Sequence, residues 1–278
     1  MDYILEKNKI IIEKPFDFNI KHICECGQMF RFEDKNTHFA VMSSNFNAMV
    51  YENDKKSVII ESENIKYYEN YFDLKNDYGI IKAELIKNQI LKNAIDFGYG
   101  IRIAKQDLLE TLISFIISAN NNIGRIKRTL NLLCQNYGEN MGDHFAFPTL
   151  SELKKINQDE WKQMGAGYRA NYLCDTISKL DEKFLENLKT LSTLEAYDEL
   201  IKLKGIGNKV CECILLFGLQ KTNVFPVDVW MDRVCQHYFN LTSGTRESKS
   251  KTMVERFGNL AGYAQQYLFY YKREHKEI

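Results

Sequence analysis

Proline and glycine are scarce, three and fifteen residues among 278, so the chain is not built mainly of loops. No apolar run approaches the roughly 18–20 residues a membrane-spanning helix needs. The first residues, MDYILEKNKIIIEK, carry acids early and lack a small-residue cleavage site, unlike a secretory signal. A soluble cytoplasmic protein is expected, with no membrane partner. Charge of one sign is missing too: 37 Lys+Arg stand against 37 Asp+Glu, a net of zero. That excludes a nucleic-acid binder working through bulk positive charge. Any such binding must use local patches and backbone donors.

Metal-ligand spacing is also lacking. The seven cysteines, at 24, 26, 134, 174, 211, 213 and 235, include no CxxC. Their odd number suits free thiols in a reducing compartment. No cysteine follows Cys235, so there is no terminal iron–sulfur run, and the five histidines are scattered. Neither the dinucleotide-binding G-x-G-x-x-G nor a phosphate-binding G-x-x-x-x-G-K-S/T occurs. No internal repeat or low-complexity tract is visible.

What is there supports a sizeable core: 45% hydrophobic and 13% aromatic residues. Disorder over the whole chain is excluded. Residues 1 to about 65 read as strands. FRFED, HFAVMSS, FNAMVYEN and SVIIES are short and rich in aromatic or β-branched residues, with turn-formers at 34–36 and 53–56. This predicts an antiparallel meander with one face buried. From about Ile65 the apolar period becomes helical, over 79–96, 106–118, 122–136, 167–180, 193–202, 208–219, 229–239 and 260–274. Strands first and helices after predict an α+β fold with segregated layers. The expected division is an antiparallel β domain over 1–98 and an all-helical domain over 99–278.

The most informative stretch is 199–234, ELIKLKGIGNKVCECILLFGLQKTNVFPVDVWMDRV. Gly205 and Gly207 bracket Ile206 between two helical patterns. Such spacing allows a tight turn, after which the next helix starts with bare amides. Amides at a helix start bind phosphate without net positive charge. An ordinary glycine turn between core helices is the plainer alternative. Lys209 falls in the first turn of that helix, where the helix dipole favours the neutral, nucleophilic amine. Asp228 follows nineteen residues later, after Pro226, placed to cap the next helix and stay ionised. Taken separately, Lys209 could be a solvated surface lysine and Asp228 a plain cap. Asp232, without the Pro-Val-Asp setting, reads as surface.

Taken together, this segment resembles the helix–hairpin–helix DNA glycosylase superfamily, with its hairpin at 199–219, catalytic lysine and catalytic aspartate. SANNNIGRI at 118–126, GYRANY at 167–172, CGQMFRF at 26–32 and AGYAQQYLF at 261–269 resemble 8-oxoguanine DNA glycosylases in particular, in a bacterial, clostridial-like form. The resemblance spans about residues 20–270. It implies a base-excision repair enzyme that flips 8-oxoguanine from duplex DNA. The base would be released through a Lys209 Schiff base, with Asp228 assisting, and the strand nicked by β-elimination. Gly27 would accept the N7 proton of the lesion through its carbonyl. Gln265 would read the Watson–Crick edge, Phe269 and Cys213 would sandwich the base, and Phe217 would floor the pocket. Asn120, Arg125 and Arg169 would serve the orphaned cytosine, with Tyr168 as a wedge. Phosphates would meet the amides at Gly205 and Gly207 and cations such as Arg125, Lys127 and Lys204. A β-branched residue at Gly207 is expected to strain the turn.

The resemblance implies no required cofactor and no iron–sulfur cluster, while hairpin carbonyls could hold a structural cation. Its partner would be duplex DNA with 8-oxoguanine, preferably opposite cytosine, met by a monomer beside the bacterial nucleoid. Two departures stand out. Trp230 follows Val-Asp-Val where animal relatives carry a histidine, and Phe217 takes a position commonly methionine. A related glycosylase with another lesion preference, or a helix–hairpin–helix binding module without chemistry, are the alternatives. Lys209 and Asp228 together argue against the second, which has no use for them.

Overall fold

The computed structural model describes residues 2–275. In chain order the elements are β1 (Ile4–Leu5), β2 (Lys9–Ile12), α1 (Ile20–Glu25), β3 (Phe32–Asp34), β4 (Phe39–Ser43), β5 (Phe46–Glu52) and β6 (Val58–Glu61). Helices follow: α2 (Ile65–Tyr71), α3 (Tyr78–Leu85), α4 (Gln89–Phe97), α5 (Leu108–Ser118), α6 (Ile123–Tyr137), α7 (Leu150–Leu153), α8 (Gln158–Gln163) and α9 (Arg169–Lys179). The chain continues as α10 (Glu182–Thr190), α11 (Thr193–Leu200), α12 (Asn208–Gly218), α13 (Val229–Phe239), α14 (Arg246–Phe257) and α15 (Ala261–Glu274). The strands form one antiparallel sheet in the order β1-β2-β6-β5-β4-β3. The α+β class and the order of its two parts are as the sequence predicts.

One face of the sheet is apolar because its cross-strand neighbours alternate in phase. Ile10, Ile60 and Val50 line up across β2, β6 and β5, as do Val41 and Ala48 across β4 and β5. All five are fully buried, and Tyr68 and Phe72, from the end of α2, close over them in a compact core. A second, larger core runs through the helices. Residues 78–97, which precede the boundary expected at 98, pack in this larger core through Tyr78, Leu85, Leu91 and Ile95.

The two cores are joined by buried polar links. Arg31 Nη1 lies 3.1 Å from Glu110 on α5, with both side chains almost fully buried. Ser44 N–H donates to the same carboxylate at 2.8 Å, and Arg31 Nη2 donates to the Phe145 carbonyl at 2.6 Å. Arg102 is fully buried and spends its fork on the carbonyls of Phe72, Asp17, Asp73 and Asn76. Groups so enclosed persist because each charge has partners. These links fix the β unit against the helical body where the 26–32 segment crosses between them.

Candidate active site

The hairpin between α11 and α12 carries two glycines with different tasks. Gly205 has φ +86°, and a Cβ there would lie 2.7 Å from Tyr172 Cβ. Only glycine fits that turn without strain. Gly207 caps α12 at φ −91°, ψ 175°, an extended conformation open to any residue, and a Cβ there would touch nothing within 4 Å. The strain expected at Gly207 is therefore absent. Its missing side chain instead leaves the uncapped first amides of α12 facing an open groove lined by Asn208, Lys209, Val227 and Arg246.

In the first turn of α12, Lys209 points toward the Phe115 ring of α5, with Nζ 5.2 Å from the ring centre. Phe115 stacks on Phe217 at 5.5 Å and 13°. Asp228 caps α13: its Oδ1 accepts from Met231 N–H at 2.9 Å. That bond fixes the carboxylate and leaves its second oxygen for other work. Gly27, Lys209, Cys213, Phe217, Asp228, Gln265 and Phe269 line a single slot, with Phe115, Pro226 and Gln266. The sequence spreads these residues over more than 240 positions, and the fold brings them together.

The slot is polar at chosen points. Burial pushes the Cys213 thiol up to about 11, against the opposing pull of nearby Lys209, so it is a neutral packing group at pH 7. Gln265 donates from Nε2 to the Pro226 carbonyl at 3.2 Å, while its Oε1 is buried without a partner among the described residues. Gly27 has φ +86° and lies against Phe269. Its neighbours are pinned: Gln266 Nε2 donates to Cys26 O at 2.8 Å, and Gln106 Nε2 to Gln28 O at 2.8 Å. Gln28 is fully buried, donating to Ile23 O and Arg102 O and accepting from Ala104 N–H. The Gly27 carbonyl itself receives no hydrogen bond from the described residues. The free volume of the slot is only 30 Å³, enough for about one water.

Beside the slot, the three asparagines divide the work. Asn120 sits at φ +48°, a left-handed conformation asparagine tolerates. Asn121 Nδ2 donates to Ile117 O at 3.1 Å, and Asn122 caps α6 by accepting from Arg125 N–H at 3.0 Å. Asn120, Arg125 and Tyr168 are exposed. Arg169 is buried, and its donors go to the carbonyls of Ala119 at 2.7 Å, Asn120 at 2.6 Å and Ala166 at 3.3 Å. Its guanidinium lies 4.5 Å from the centre of the Tyr168 ring. The loop and the exposed aromatic are thus built on one arginine.

Comparison with known proteins matches two families along the chain. Residues 10–112 match the family described as 8-oxoguanine DNA glycosylase, N-terminal domain, and residues 113–259 match the HhH-GPD superfamily of base excision DNA repair proteins. An Arabidopsis thaliana N-glycosylase/DNA lyase is 33% identical over 61% of this chain and 51% of its own length, so the chain matches about half of that plant protein. A probable N-glycosylase/DNA lyase of Methanothermobacter thermautotrophicus is 30% identical over 76% of this chain and 74% of its own. The solved 8-oxoguanine glycosylase/lyase of Clostridium acetobutylicum, bound to duplex DNA with cytosine opposite 8-oxoG, is 36% identical. It superposes with a TM-score of 0.91 over 99% of this chain and all of that one. The chain belongs to the 8-oxoguanine DNA glycosylase family.

Within this member of the glycosylase family, several sequence expectations need correction. Asp232 is not a free surface carboxylate: it holds the buried Lys249 at 2.5 Å, and Arg246 lies near. Lys127 is not a free phosphate cation: its Nζ sits 3.6 Å above the Phe32 ring, and burial lowers its pKa. Arg169 has most of its donors committed to the loop backbone. Trp230 lines the wider groove outside the slot, with the Arg233 guanidinium 5.4 Å from its ring. Sequence reasoning missed Phe115 and Gln266. The Gln-Gln pair at 265–266 signalled that two amides face the same region, one toward the slot and one toward the Cys26 carbonyl.

Proposed function

We propose that this protein excises 8-oxoguanine from duplex DNA, opposite cytosine by preference, and then nicks the strand. The observation that carries this is the shared slot. A lysine amine and a capped aspartate meet the unclaimed Gly27 carbonyl and a buried Gln265 Oε1 with no partner. A site with unpaired buried groups penalises a base that cannot satisfy them. Guanine lacks the N7 proton that the Gly27 carbonyl would accept.

As the free amine, Lys209 attacks C1′ of the flipped nucleotide, and the C1′–N9 bond breaks. The base leaves with a proton. Opening of the C1′–O4′ bond gives the lysine Schiff base, with O4′ taking up a proton. Asp228 supplies negative charge beside the sugar as positive charge develops there. Loss of a C2′ proton then expels the 3′ phosphate. Amine and carboxylate suffice, so we propose no cofactor, with a structural cation on the hairpin carbonyls as the only ion. Asn120, Arg125 and the remaining donors of Arg169 face the orphaned cytosine, and Tyr168 wedges the stack, since extrusion costs a few kcal/mol. The workplace proposed is the bacterial cytoplasm, on nucleoid DNA.

Borohydride trapping on duplexes with 8-oxoguanine, alkylated or deaminated bases tests this reading. The covalent adduct should form with 8-oxoguanine. Lys209→Gln should lose the adduct and base release while still binding the lesion. An adduct confined to alkylated or deaminated bases would replace the lesion assignment, and full trapping by Lys209→Gln would remove Lys209 as the nucleophile.

A further inference from the structure

Gln265, Phe269 and Arg273 occupy positions i, i+4 and i+8 of α15, one stripe about 12 Å long. The first two line the slot. Arg273 lines the wider groove that opens from it, together with Gly27 and Phe269. Its Nε donates to Glu274 at 2.9 Å and its Nη2 donates to the Glu25 carbonyl. Its Nη1 is buried and has no partner among the described residues. A Cβ on Gly27 would lie 3.1 Å from that nitrogen, so the donor rests against the Gly27 backbone. Stacking holds it there, with the guanidinium 5.9 Å from the Phe269 ring centre and 5.3 Å from that of Tyr270.

The stripe therefore presents, in order, an unpaired acceptor on Gln265, an aromatic face, and an unpaired donor on Arg273. The Gly27 backbone, whose carbonyl takes no hydrogen bond from the described residues, lies next to that donor. 8-Oxoguanine offers, in order round its edge, N–H donors on the Watson–Crick side, then O6, the N7 proton and the oxygen on C8, so a donor for Gln265 lies at one end and acceptor oxygen for Arg273 at the other. Guanine offers a bare N7 and a C8 hydrogen instead. An unmade bond to a buried charged donor is costly, so the same nitrogen that rewards the lesion penalises the normal base.

We propose that Arg273 is a further specificity-determining residue, donating from Nη1 to the oxygen on C8 of the flipped lesion next to the N7–H bond to Gly27. This rests on the base-excision reading above. The test compares single-turnover base release from 8-oxoguanine opposite cytosine with strand cleavage at a preformed abasic site, which has no base to read. Arg273→Leu should slow 8-oxoguanine release roughly 10- to 100-fold, the range for one charge-assisted hydrogen bond, and leave abasic cleavage within about twofold. Arg273→Lys, with a donor on a flexible stem, should recover part of the loss. Equal losses on both substrates would show that Arg273 only anchors the end of α15 through Glu25. Unchanged release would show that it does not read the base. A wild-type protein that cleaves the abasic duplex but leaves 8-oxoguanine in place would remove the base-excision reading and this inference with it.

Discussion

Glu212 lies on α12, three residues past Lys209, buried among groups that mostly oppose its ionisation. Burial raises its pKa to about 7, with the Glu247 carboxylate adding to the rise, while Ser250 and the Val227 backbone oppose it. Ser250 Oγ donates to it. A raised acid pKa means the folded state holds a proton that the unfolded state releases between about pH 4.5 and 7. Stability from this group is therefore full at low pH and falls as pH rises through about 7, by roughly 3 kcal/mol at most for such a shift. Glu212→Gln keeps an acceptor for Ser250 without the charge. Its unfolding free energy should fall less between pH 5 and pH 8 than that of the wild type, and parallel curves would sink this account. Nothing in the sequence marked Glu212, because burial of a charge is a property of the fold. The same holds for Lys127, which reads as a phosphate contact until the Phe32 ring beneath it is known, and for the donors that Arg169 spends on loop carbonyls. Lys209 and Asp228 were legible because their spacing from glycine and proline encodes a helix start in each case.

Most elements that position the slot were legible by period, and the misses have physical causes. The pattern over 79–96 reads as one helix but breaks at Ile86, since Asn88 caps a second start by accepting from the Ile90 and Leu91 amides. α14 was missed because RESKSKTMVERF is charged nearly all round, with Met253 its only buried apolar residue. α7 and α8 are short, four and six residues, below the length at which periodicity is informative. β2 was not among the named runs because KIII is almost uniformly apolar. The hairpin gives a sharper test of element against ligand. Gly205→Ala should destabilise the fold by about 1–3 kcal/mol, from a positive φ compounded by the Tyr172 contact. Gly207→Val should leave the melting temperature nearly unchanged and weaken binding to lesion-bearing and undamaged duplexes alike, since it shields amides and leaves the slot untouched. Calorimetry and duplex titration on both variants would separate the roles. A Gly207 variant that melts early, or that loses only lesion discrimination, would contradict this division.

At the scale of the whole molecule, zero net charge sets how binding responds to salt. With Lys127 committed to the Phe32 ring, Arg125 and Lys204 remain of the three cations named for phosphates, and backbone amides release no counterions of their own. The slope of log affinity against log salt should be shallow, about −3 to −5, at roughly −0.9 per neutralised phosphate. A titration series on one duplex would measure it, and a slope near −10 would overturn the backbone-led account. The slot of 30 Å³ carries a different consequence. A purine needs more room than that, so the slot must widen, and the free energy for that opening must come from contacts made by the rest of the duplex. Oxidised guanine drifting in the nucleotide pool brings no such contacts. It should be a poor inhibitor, and the same chemical lesion is then recognised inside a strand and ignored outside one.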